Sequence, residues 1–314
     1  MKILMTRKLP DRVIDAAKSH FNDLTVRDNT TPLKVNEARQ ALLDYDAILP
    51  TLGDQFGVEA FPANPRCKLL ANFGVGYNHI DVDAAAKVGI AVTNTPGAVT
   101  DATADTALTL MLMTLRRAGE GERLVRANAW DGWHPTQMLG LHMTGKTVGI
   151  IGMGRIGQAI ADRCRLGFGM KVVFHNRSQK QIEGCTQLGS LNEVMAAADV
   201  IVLAIPGGPA TAHMINADAI AAMQPHAFLV NIARGDVMNE AALIAALQEG
   251  RIAGAGLDVY EHEPTVPDAL KAMENVTLLP HLGTAALEVR EDMGLMAVRN
   301  LIAHVDGQDL PNAV

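Results

Sequence analysis

The chain has 314 residues, of which 48% are apolar, 19% charged and 4% aromatic, and its formal net charge is −7 at pH 7. At about 150 residues per domain, this length predicts two domains, and the apolar fraction excludes a disordered chain. The acidic balance argues against a general binder of nucleic acid or of anionic membranes. Three widely spaced cysteines without a CxxC pair argue against a disulfide framework. They favour a reducing compartment, so we expect a cytoplasmic protein.

The N-terminal stretch, MKILMTRKLPDR, carries charge from the outset and lacks a long apolar segment. This pattern argues against a secretory signal. The longest apolar run, Val200 to Pro206, has the length of a buried strand and is far below the roughly 20 residues of a membrane helix. We therefore expect neither a targeting segment nor a membrane segment.

Short apolar strands alternate with helices in the first hundred residues. The stretch from Asp11 to Phe21, for example, predicts a helix with Val13, Ile14 and Ala17 on one face. Strands that alternate with helices predict a parallel sheet with right-handed crossovers. The predicted strands are Lys2–Thr6, Asp23–Arg27, Asp46–Pro50, Lys68–Phe73 and Ile90–Thr93, and the predicted helices are Asp11–Phe21, Lys34–Leu43 and Val82–Val88.

A long apolar helix is predicted over Asp101–Arg117, and a charged stretch follows it up to Arg126. We interpret Asp101 and Asp105 as charges at the helix start. The segment Asn128–Thr144 has no clean periodicity and contains both tryptophans of the chain. It is either a surface lid or an arm that packs on another surface. We favour the arm, because exposed aromatic residues usually mark contacts.

The alternation of strands and helices resumes at Lys146. The predicted strands are Thr147–Ile151, Lys171–His175, Asp199–Ile205, Ala227–Ile232, Ala253–Asp258 and Val276–Leu279, and the predicted helices are Arg155–Leu166, Leu191–Ala197, Glu240–Gln248 and Ala285–His304. The pattern of the whole chain predicts an α/β fold with two doubly wound parallel-sheet domains.

A glycine-rich turn follows the strand that begins the second half. Gly152, Gly154 and Gly157 fit the GxGxxG pattern between an apolar strand and an amphipathic helix, with Arg155 and Ile156 between the last two glycines. In a dinucleotide site the first glycine permits the tight turn and the second lets the backbone approach the pyrophosphate. The third lets the helix pack closely on the strand. The alternative is a purely structural glycine turn.

The end of the next strand indicates which dinucleotide would bind. An NAD site normally has a carboxylate about 20 residues beyond the glycines, where it accepts hydrogen bonds from the ribose. Here the strand ends in Asn176, Arg177 and Ser178. A guanidinium and a hydroxyl suit a 2′-phosphate, so we predict NADP(H) in preference to NAD(H). The alternative is that Arg177 is a solvated surface charge.

Three segments with polar residues at strand ends carry a resemblance to a known family. They are NIARG around Arg234, LDVYEHEP from Leu257 and LPHLGT around His281, and they follow GMGRIG in that order. FGVGYNHID and TDATAD match in the first half. The chain thereby resembles the D-isomer-specific 2-hydroxyacid dehydrogenases from end to end. Within that family it is most similar to the glyoxylate and hydroxypyruvate reductases, which typically prefer NADPH.

The resemblance implies a role for each matching position. Arg234 would hold the substrate carboxylate and polarise the ketone, His281 would donate the proton in reduction, and Glu263 would pair with His281. The chemistry agrees, since histidine titrates near neutrality and a carboxylate stabilises its protonated form. Backbone groups of a second domain would bind the substrate carboxylate; they belong to Leu52, Gly53, Val75 and Gly76.

The same resemblance implies the remaining contacts. Asp258 would lie near the nicotinamide, although it could instead cap the next segment. Trp133, beside His134 and Pro135, resembles the family's dimer arm, in which a tryptophan can reach the partner's active site. We therefore expect a homodimer formed through residues 119–145. The further residues expected to contact the cofactor are Thr103, Pro206, Thr211, Ile232, Ala233 and Gly283, with Arg234 and His281 also touching it.

The leading interpretation is an NADPH-dependent reductase of small 2-keto acids such as glyoxylate and hydroxypyruvate. The alternatives are a dehydrogenase of another D-2-hydroxy acid on the same fold and a dinucleotide-sensing interaction protein. No cluster with metal-ligand spacing is present in the sequence, so we expect no metal. Residues 1–99 plus 283–314 would form a flavodoxin-like substrate domain and residues 100–282 a Rossmann NADP-binding domain, with the active site in the cleft between them.

Overall fold

The chain folds into two α/β units, each built on one parallel sheet. A computed structural model describes all residues from Met1 to Val314. One unit contains Met1–Val99 and Thr284–Val314, and the other contains Thr100–Gly283. The predicted fold class, two doubly wound parallel-sheet domains, is confirmed.

The first unit has a five-stranded sheet in the order β2-β1-β3-β4-β5, which is the flavodoxin-like order. Its strands are β1 (Lys2–Met5), β2 (Asp23–Val26), β3 (Ala47–Leu49), β4 (Leu69–Ala71) and β5 (Ala91–Thr93), and its first helices are α1 (Asp11–His20), α2 (Val35–Asp44) and α3 (Val82–Lys87). Asp81 caps α3, where its carboxylate accepts the backbone N–H of Ala84 at 2.8 Å.

The second unit has a seven-stranded parallel sheet in the order β12-β11-β10-β9-β6-β7-β8. This is the doubly wound order of dinucleotide-binding folds, extended by one strand. Its strands are β6 (Thr147–Ile151), β7 (Lys171–His175), β8 (Cys185–Gln187), β9 (Val200–Leu203), β10 (Phe228–Asn231), β11 (Gly254–Leu257) and β12 (Val276–Leu278). Its helices are α4 (Thr100–Leu115), α5 (Ala118–Arg126), α6 (Arg155–Asp162), α7 (Leu191–Ala197), α8 (Ala217–Ala221), α9 (Glu240–Gln248) and α10 (Asp268–Lys271).

The central strand β9 shows why these strands are apolar throughout. All four of its residues are buried, and successive side chains point to opposite faces of the sheet. Val200 and Val202 pack in the cluster that contains α4 and α6, whereas Ile201 and Leu203 pack in the cluster that contains α7 and α9. Helices cover both faces, so every position of the strand favours an apolar residue.

The last helix, α11 (Leu287–Val305), packs on α1 in the first unit. Gly294 allows this close packing, because a Cβ at that position would overlap the side chain of Val13. The sequence analysis places Gly283 with this returning segment. In the structure Gly283 belongs to the second unit, where its N–H donates to Asp258 and its carbonyl accepts from the hydroxyl of Thr103.

Several elements differ from the sequence expectation. Four short elements, β8, α5, α8 and α10, are absent from the predicted set, and the predicted helix Arg155–Leu166 changes after Asp162 into one π-helical turn. Asp101 and Asp105 are more than charges at the start of α4, since both carboxylates pair with Arg163. No helix or strand occurs between Ala127 and Lys146, as predicted for the arm. None of the helices combines the length and the apolar composition of a membrane span.

Candidate active site

Polar residues follow three neighbouring strands of the second sheet. β10, β11 and β12 are adjacent and parallel, so their carboxyl ends lie at the same edge. Arg234 comes after β10 and His281 comes after β12. Asp258 and Glu263 come after β11, between them. The order of the strands thus brings together residues that are up to about 50 positions apart in the chain.

The imidazole of His281 lies within hydrogen-bonding distance of the Glu263 carboxylate. Nδ1 of His281 lies 2.8 Å from Oε2 of Glu263, and the other carboxylate oxygen accepts the backbone N–H of Tyr260 at 3.1 Å. Burial acts to raise the pKa of Glu263, but the hydrogen bond and charge of His281, helped by Tyr260 and Arg234, outweigh it and lower that pKa. Nε2 of His281 has no protein partner, and 27% of the side chain is exposed. This nitrogen is therefore free to exchange a proton with a ligand.

Asp258 accepts hydrogen bonds from the backbone of residues 281–283. Its two carboxylate oxygens accept the N–H groups of Leu282 at 2.6 Å and Gly283 at 2.8 Å, and its carbonyl accepts the N–H of His281 at 2.9 Å. His281 itself has a φ of 54°, which is costly for a residue other than glycine. Burial raises the pKa of Asp258, although the two N–H groups act in the opposite direction. Asp258 thus ties the loop after β12 to the end of β11.

Arg234 lies in a short loop braced by Asn231. The fully buried Asn231 donates to the carbonyl of Arg234 and accepts the N–H of Ala233, each at 3.0 Å. Nη1 of Arg234 donates to the carbonyl of Ala233 at 2.6 Å, which leaves its other N–H groups for a ligand. Burial lowers the pKa of Arg234, while the carboxylates of Glu263 and Asp236 act in the opposite direction. Ile232 and Ala233 are buried beside it.

Gly235 lies directly after Arg234. A Cβ at Gly235 would overlap the backbone of Tyr260 and Glu261. The loop of Arg234 can therefore lie directly against the segment that carries Glu263 only because residue 235 lacks a side chain.

The three glycines of the turn after β6 have three different surroundings. Gly152 has a φ of 98°, and a Cβ there would overlap the carbonyl of Ala204. A Cβ at Gly157 would overlap the carbonyl oxygen of Gly152. By contrast, a Cβ at Gly154 would meet no atom within 4 Å. No side chain caps α6, so its first N–H groups, near Gly154 and the exposed Arg155, are available to an anion. This open helix N-terminus fits a dinucleotide pyrophosphate.

The turn after β7 lies next to the glycine turn. Oδ1 of Asn176 accepts the N–H of Met153 at 3.1 Å, and its Nδ2 donates to the carbonyl of Ser178 at 2.9 Å and to the Ser178 hydroxyl at 3.0 Å. Arg177 is exposed and has no hydrogen-bonding or ionic partner. Its guanidinium is therefore free to pair with a ligand phosphate. Ile156 is half-buried in the first turn of α6.

The loop after β9 is fastened to the loop of Arg234. The hydroxyl of Thr211 donates to the carbonyl of Pro206 at 2.7 Å, so this side chain stabilises its own loop. Asp236 accepts the N–H of Gly208 at 2.8 Å. The resemblance predicts that Pro206 and Thr211 contact the cofactor, and it does not single out Asp236. The hydrogen bond of Asp236 joins the loop after β9 to the loop of Arg234.

Two turns in the first unit present unpaired backbone donors. They follow β3 and β4, which are neighbours in the sheet. The carbonyls of Leu52, Val75 and Gly76 accept hydrogen bonds from Arg7, Asn94 and Asn72, whereas the N–H groups of Leu52, Gly53, Val75 and Gly76 have no protein partner. The buried Asp54 shapes the first turn by accepting the N–H groups of Thr51 and Leu33, both at 2.7 Å. Free N–H groups in such turns suit a carboxylate.

A second cluster of charges lies beside the segment that carries Glu263. His213 Nε2 is 2.7 Å from Oε1 of Glu261, and Glu240 and Glu261 each accept the other's backbone N–H at 3.4 Å. Glu240 is 6% exposed. Burial, followed by the charge of Glu261, raises the pKa of Glu240 despite opposing contributions from the Glu261 N–H and from His262.

A Glu240→Gln variant should be more stable than the wild type at pH 7–8 but not at pH 4. The pKa of Glu240 is higher in the folded state than in the unfolded chain. The free energy of unfolding therefore decreases as the pH rises and Glu240 ionises in the folded state. Glutamine does not ionise, so the variant avoids this decrease. Thermal unfolding should show an increase of a few degrees in Tm at the higher pH. Glu288→Gln is the control, since Glu288 is an exposed glutamate in the first turn of α11. An equal gain at both pH values would contradict the expectation.

Comparisons with known proteins give one match within the second unit and several matches over the whole chain. Residues 108–283 match the family described as D-isomer specific 2-hydroxyacid dehydrogenase, NAD binding domain. A glyoxylate reductase of Thermococcus onnurineus is 42% identical, with 100% of this chain and 95% of the relative covered. A glyoxylate reductase of Thermococcus kodakarensis is 43% identical, with 100% of this chain and 96% of that relative covered.

Solved structures agree in fold. An NADPH-dependent glyoxylate/hydroxypyruvate reductase from Sinorhizobium meliloti, solved with NADP and malonate, has a TM-score of 0.88 and 37% identity over 100% of this chain and 96% of its own. A D-isomer specific 2-hydroxyacid dehydrogenase from a Polaromonas species has a TM-score of 0.92 and 35% identity. The match covers 100% of this chain and 99% of the Polaromonas chain. With similarity of this extent in sequence and in fold, the chain belongs to the D-isomer specific 2-hydroxyacid dehydrogenase family.

Proposed function

We propose that this protein is an NADPH-dependent reductase of small 2-keto acids, such as glyoxylate and hydroxypyruvate. The observation that carries the proposal is the His281–Glu263 pair at 2.8 Å, whose imidazole keeps its second nitrogen free, in the same unit as the open glycine turn. The names of the relatives and their NADP-bound structure support the substrate class and the cofactor.

His281 is the proton donor in this proposal. When protonated, it donates one N–H to Glu263 and presents the other to the substrate oxygen. Glu263 retains its negative charge, because its pKa lies below the ordinary value, and thereby stabilises the imidazolium. Bound NADPH supplies the hydride that adds to the keto carbon. The alkoxide oxygen takes its proton from Nε2 of His281, and in the reverse reaction the same nitrogen accepts that proton.

Arg234 binds the substrate carboxylate and polarises its ketone. A guanidinium matches the planar carboxylate with two parallel hydrogen bonds, and burial strengthens them. Asp258 and Thr103 form hydrogen bonds with the backbone of Leu282 and Gly283 and so fix the segment that carries His281.

A substrate panel tests this function. Glyoxylate, hydroxypyruvate, pyruvate and phenylpyruvate are each mixed with enzyme and NADPH or NADH, and the absorbance at 340 nm is followed. We expect turnover of the two smallest acids with NADPH. If no small 2-keto acid is turned over, the reductase proposal is wrong and a dinucleotide-sensing role is favoured.

Arg177 should distinguish the two cofactors. In an Arg177→Ala variant, NADPH binding should weaken by roughly 1.5–3 kcal/mol, the scale of a hydrogen bond to a charged group. NADH binding should barely change, because NADH lacks the 2′-phosphate, so NADH is the internal control. Titration calorimetry measures both affinities. An equal loss for the two cofactors would contradict the predicted role.

The arm over residues 119–145 is the proposed dimer contact. Helix α5 buries none of its residues, and the side chains of Trp130, Trp133 and Leu139 are exposed in the isolated chain, Trp133 by 79%. Large exposed apolar side chains concentrated in one segment are typical of a protein interface. Light scattering should give twice the chain mass of 33.5 kDa, whereas a monomer mass would contradict the proposal.

A further inference from the structure

A single glutamine braces the turn that follows β7. Nε2 of Gln187 donates to the carbonyls of Asn176 and Ser178, both at 3.2 Å. Its Oε1 accepts the N–H of Lys180 at 2.8 Å. The side-chain amide of Gln187 therefore contacts the turn at three points, on both sides of Arg177.

Gln187 is well placed for this bracing because of the strand that carries it. It is the last residue of β8, the edge strand of the second sheet, and it pairs with Phe174 of β7. The ladder fixes its backbone, while its half-buried side chain reaches past the end of β7 to the turn. All of its side-chain hydrogen bonds go to that turn.

The turn is also fixed to the glycine turn. Asn176 accepts the N–H of Met153 and donates to Ser178. The backbone on either side of Arg177 is thus held from two directions, whereas the Arg177 guanidinium has no partner. The Ser178 hydroxyl accepts a hydrogen bond from Asn176 of the same turn.

We propose that Gln187 is a positioning residue for the recognition of a 2′-phosphate by Arg177 and Ser178. This inference rests on the proposed preference for NADPH. A long arginine side chain gains more from a phosphate when its backbone is fixed in advance, since less conformational entropy is lost on binding. Gln187 lies behind the turn and is not itself proposed to touch the cofactor.

The test is the affinity of the protein for NADP⁺ and for NAD⁺, measured by titration calorimetry. In Gln187→Met, which keeps the length but lacks hydrogen-bonding groups, the Kd for NADP⁺ should increase by about threefold to tenfold, the scale of one or two neutral hydrogen bonds. The Kd for NAD⁺ should change by less than about twofold on the same scale. Thr186→Ala, on the exposed face of the same strand, is the matched control and should change neither value.

Gln187→Glu is a second variant that retains the acceptor for Lys180 but places a carboxylate against the carbonyls of Asn176 and Ser178. It should weaken NADP⁺ binding at least as much as Gln187→Met. In Arg177→Ala, adding Gln187→Met should weaken NADP⁺ binding by less than it does in the wild type, because part of its effect passes through Arg177.

The outcomes separate the inference from the cofactor proposal. If the wild type binds both dinucleotides equally, the proposed NADPH preference is wrong, and the role of Gln187 is overturned with it. If the wild type prefers NADP⁺ but Gln187→Met weakens both dinucleotides equally, the preference stands and Gln187 is only structural. Additive effects of Gln187→Met and Arg177→Ala would also overturn the inference.

Discussion

Replacing His281 by alanine should lower the turnover of 2-keto acids by about 10²–10⁴-fold, the usual contribution of a general acid. The reason is that Nε2 of His281 is the proposed donor to the alkoxide, while Nδ1 is held by Glu263. NADPH affinity should remain nearly intact, because the imidazole serves the proton transfer. Steady-state kinetics at 340 nm and a direct titration with NADPH measure the two quantities separately.

His262→Ala is the matched control for that variant. His262 lies in the same segment as Glu263, but it is exposed and is not part of the pair. Its removal should leave turnover unchanged. If His281→Ala retains activity within about tenfold of the wild type, His281 is not the acid, since a loss that small falls below the range expected of general acid catalysis.

Gly157→Ala should both destabilise the protein and abolish cofactor binding. The added Cβ would overlap the carbonyl oxygen of Gly152, which is backbone and cannot rotate away. Overpacking of this kind costs about 1–3 kcal/mol or more. The first turn of α6 must then shift away from the glycine turn. Thermal unfolding should show a lower Tm, and calorimetry should show little or no NADPH binding.

Gly154→Ala separates the two effects. Gly154 has a φ of −78°, which alanine adopts readily, and its Cβ would point into open space. The free protein should therefore keep its Tm, while the methyl group obstructs the surface where the pyrophosphate is expected. If Gly154→Ala binds NADPH as tightly as the wild type, the predicted phosphate site is wrong.

Much of the fold could be predicted from hydrophobic patterns. The bounds of the strand Thr147–Ile151 and of the helices Leu191–Ala197 and Glu240–Gln248 agree with the structure. These segments contribute to the buried core, so their apolar residues give a recognisable strand or helix pattern in the sequence. Of the four elements absent from the predicted set, two lack that pattern. Helix α5 buries no residue, and β8 has three partly exposed residues whose strand conformation depends on pairing with β7.

Part of the candidate site, too, could be predicted from the sequence, and part could not. Motifs identified His281, Glu263 and Arg234, but the contact between His281 and Glu263 depends on the adjacency of β11 and β12, which is a tertiary property. Asp236 and Gln187 could not be predicted, because each acts only through the backbone of a loop distant in sequence. The packing of Gly235 against Tyr260 could not be predicted for the same reason.

The pairing of His281 with Glu263 occurs wholly within the unit Thr100–Gly283, and Asp258 anchors the acid to the same sheet. The chain leaves this unit directly after Gly283, two residues beyond His281. The proposed proton donor, its carboxylate partner and the glycine turn therefore lie in one uninterrupted stretch of sequence, so a fragment of residues 100–283 contains all three.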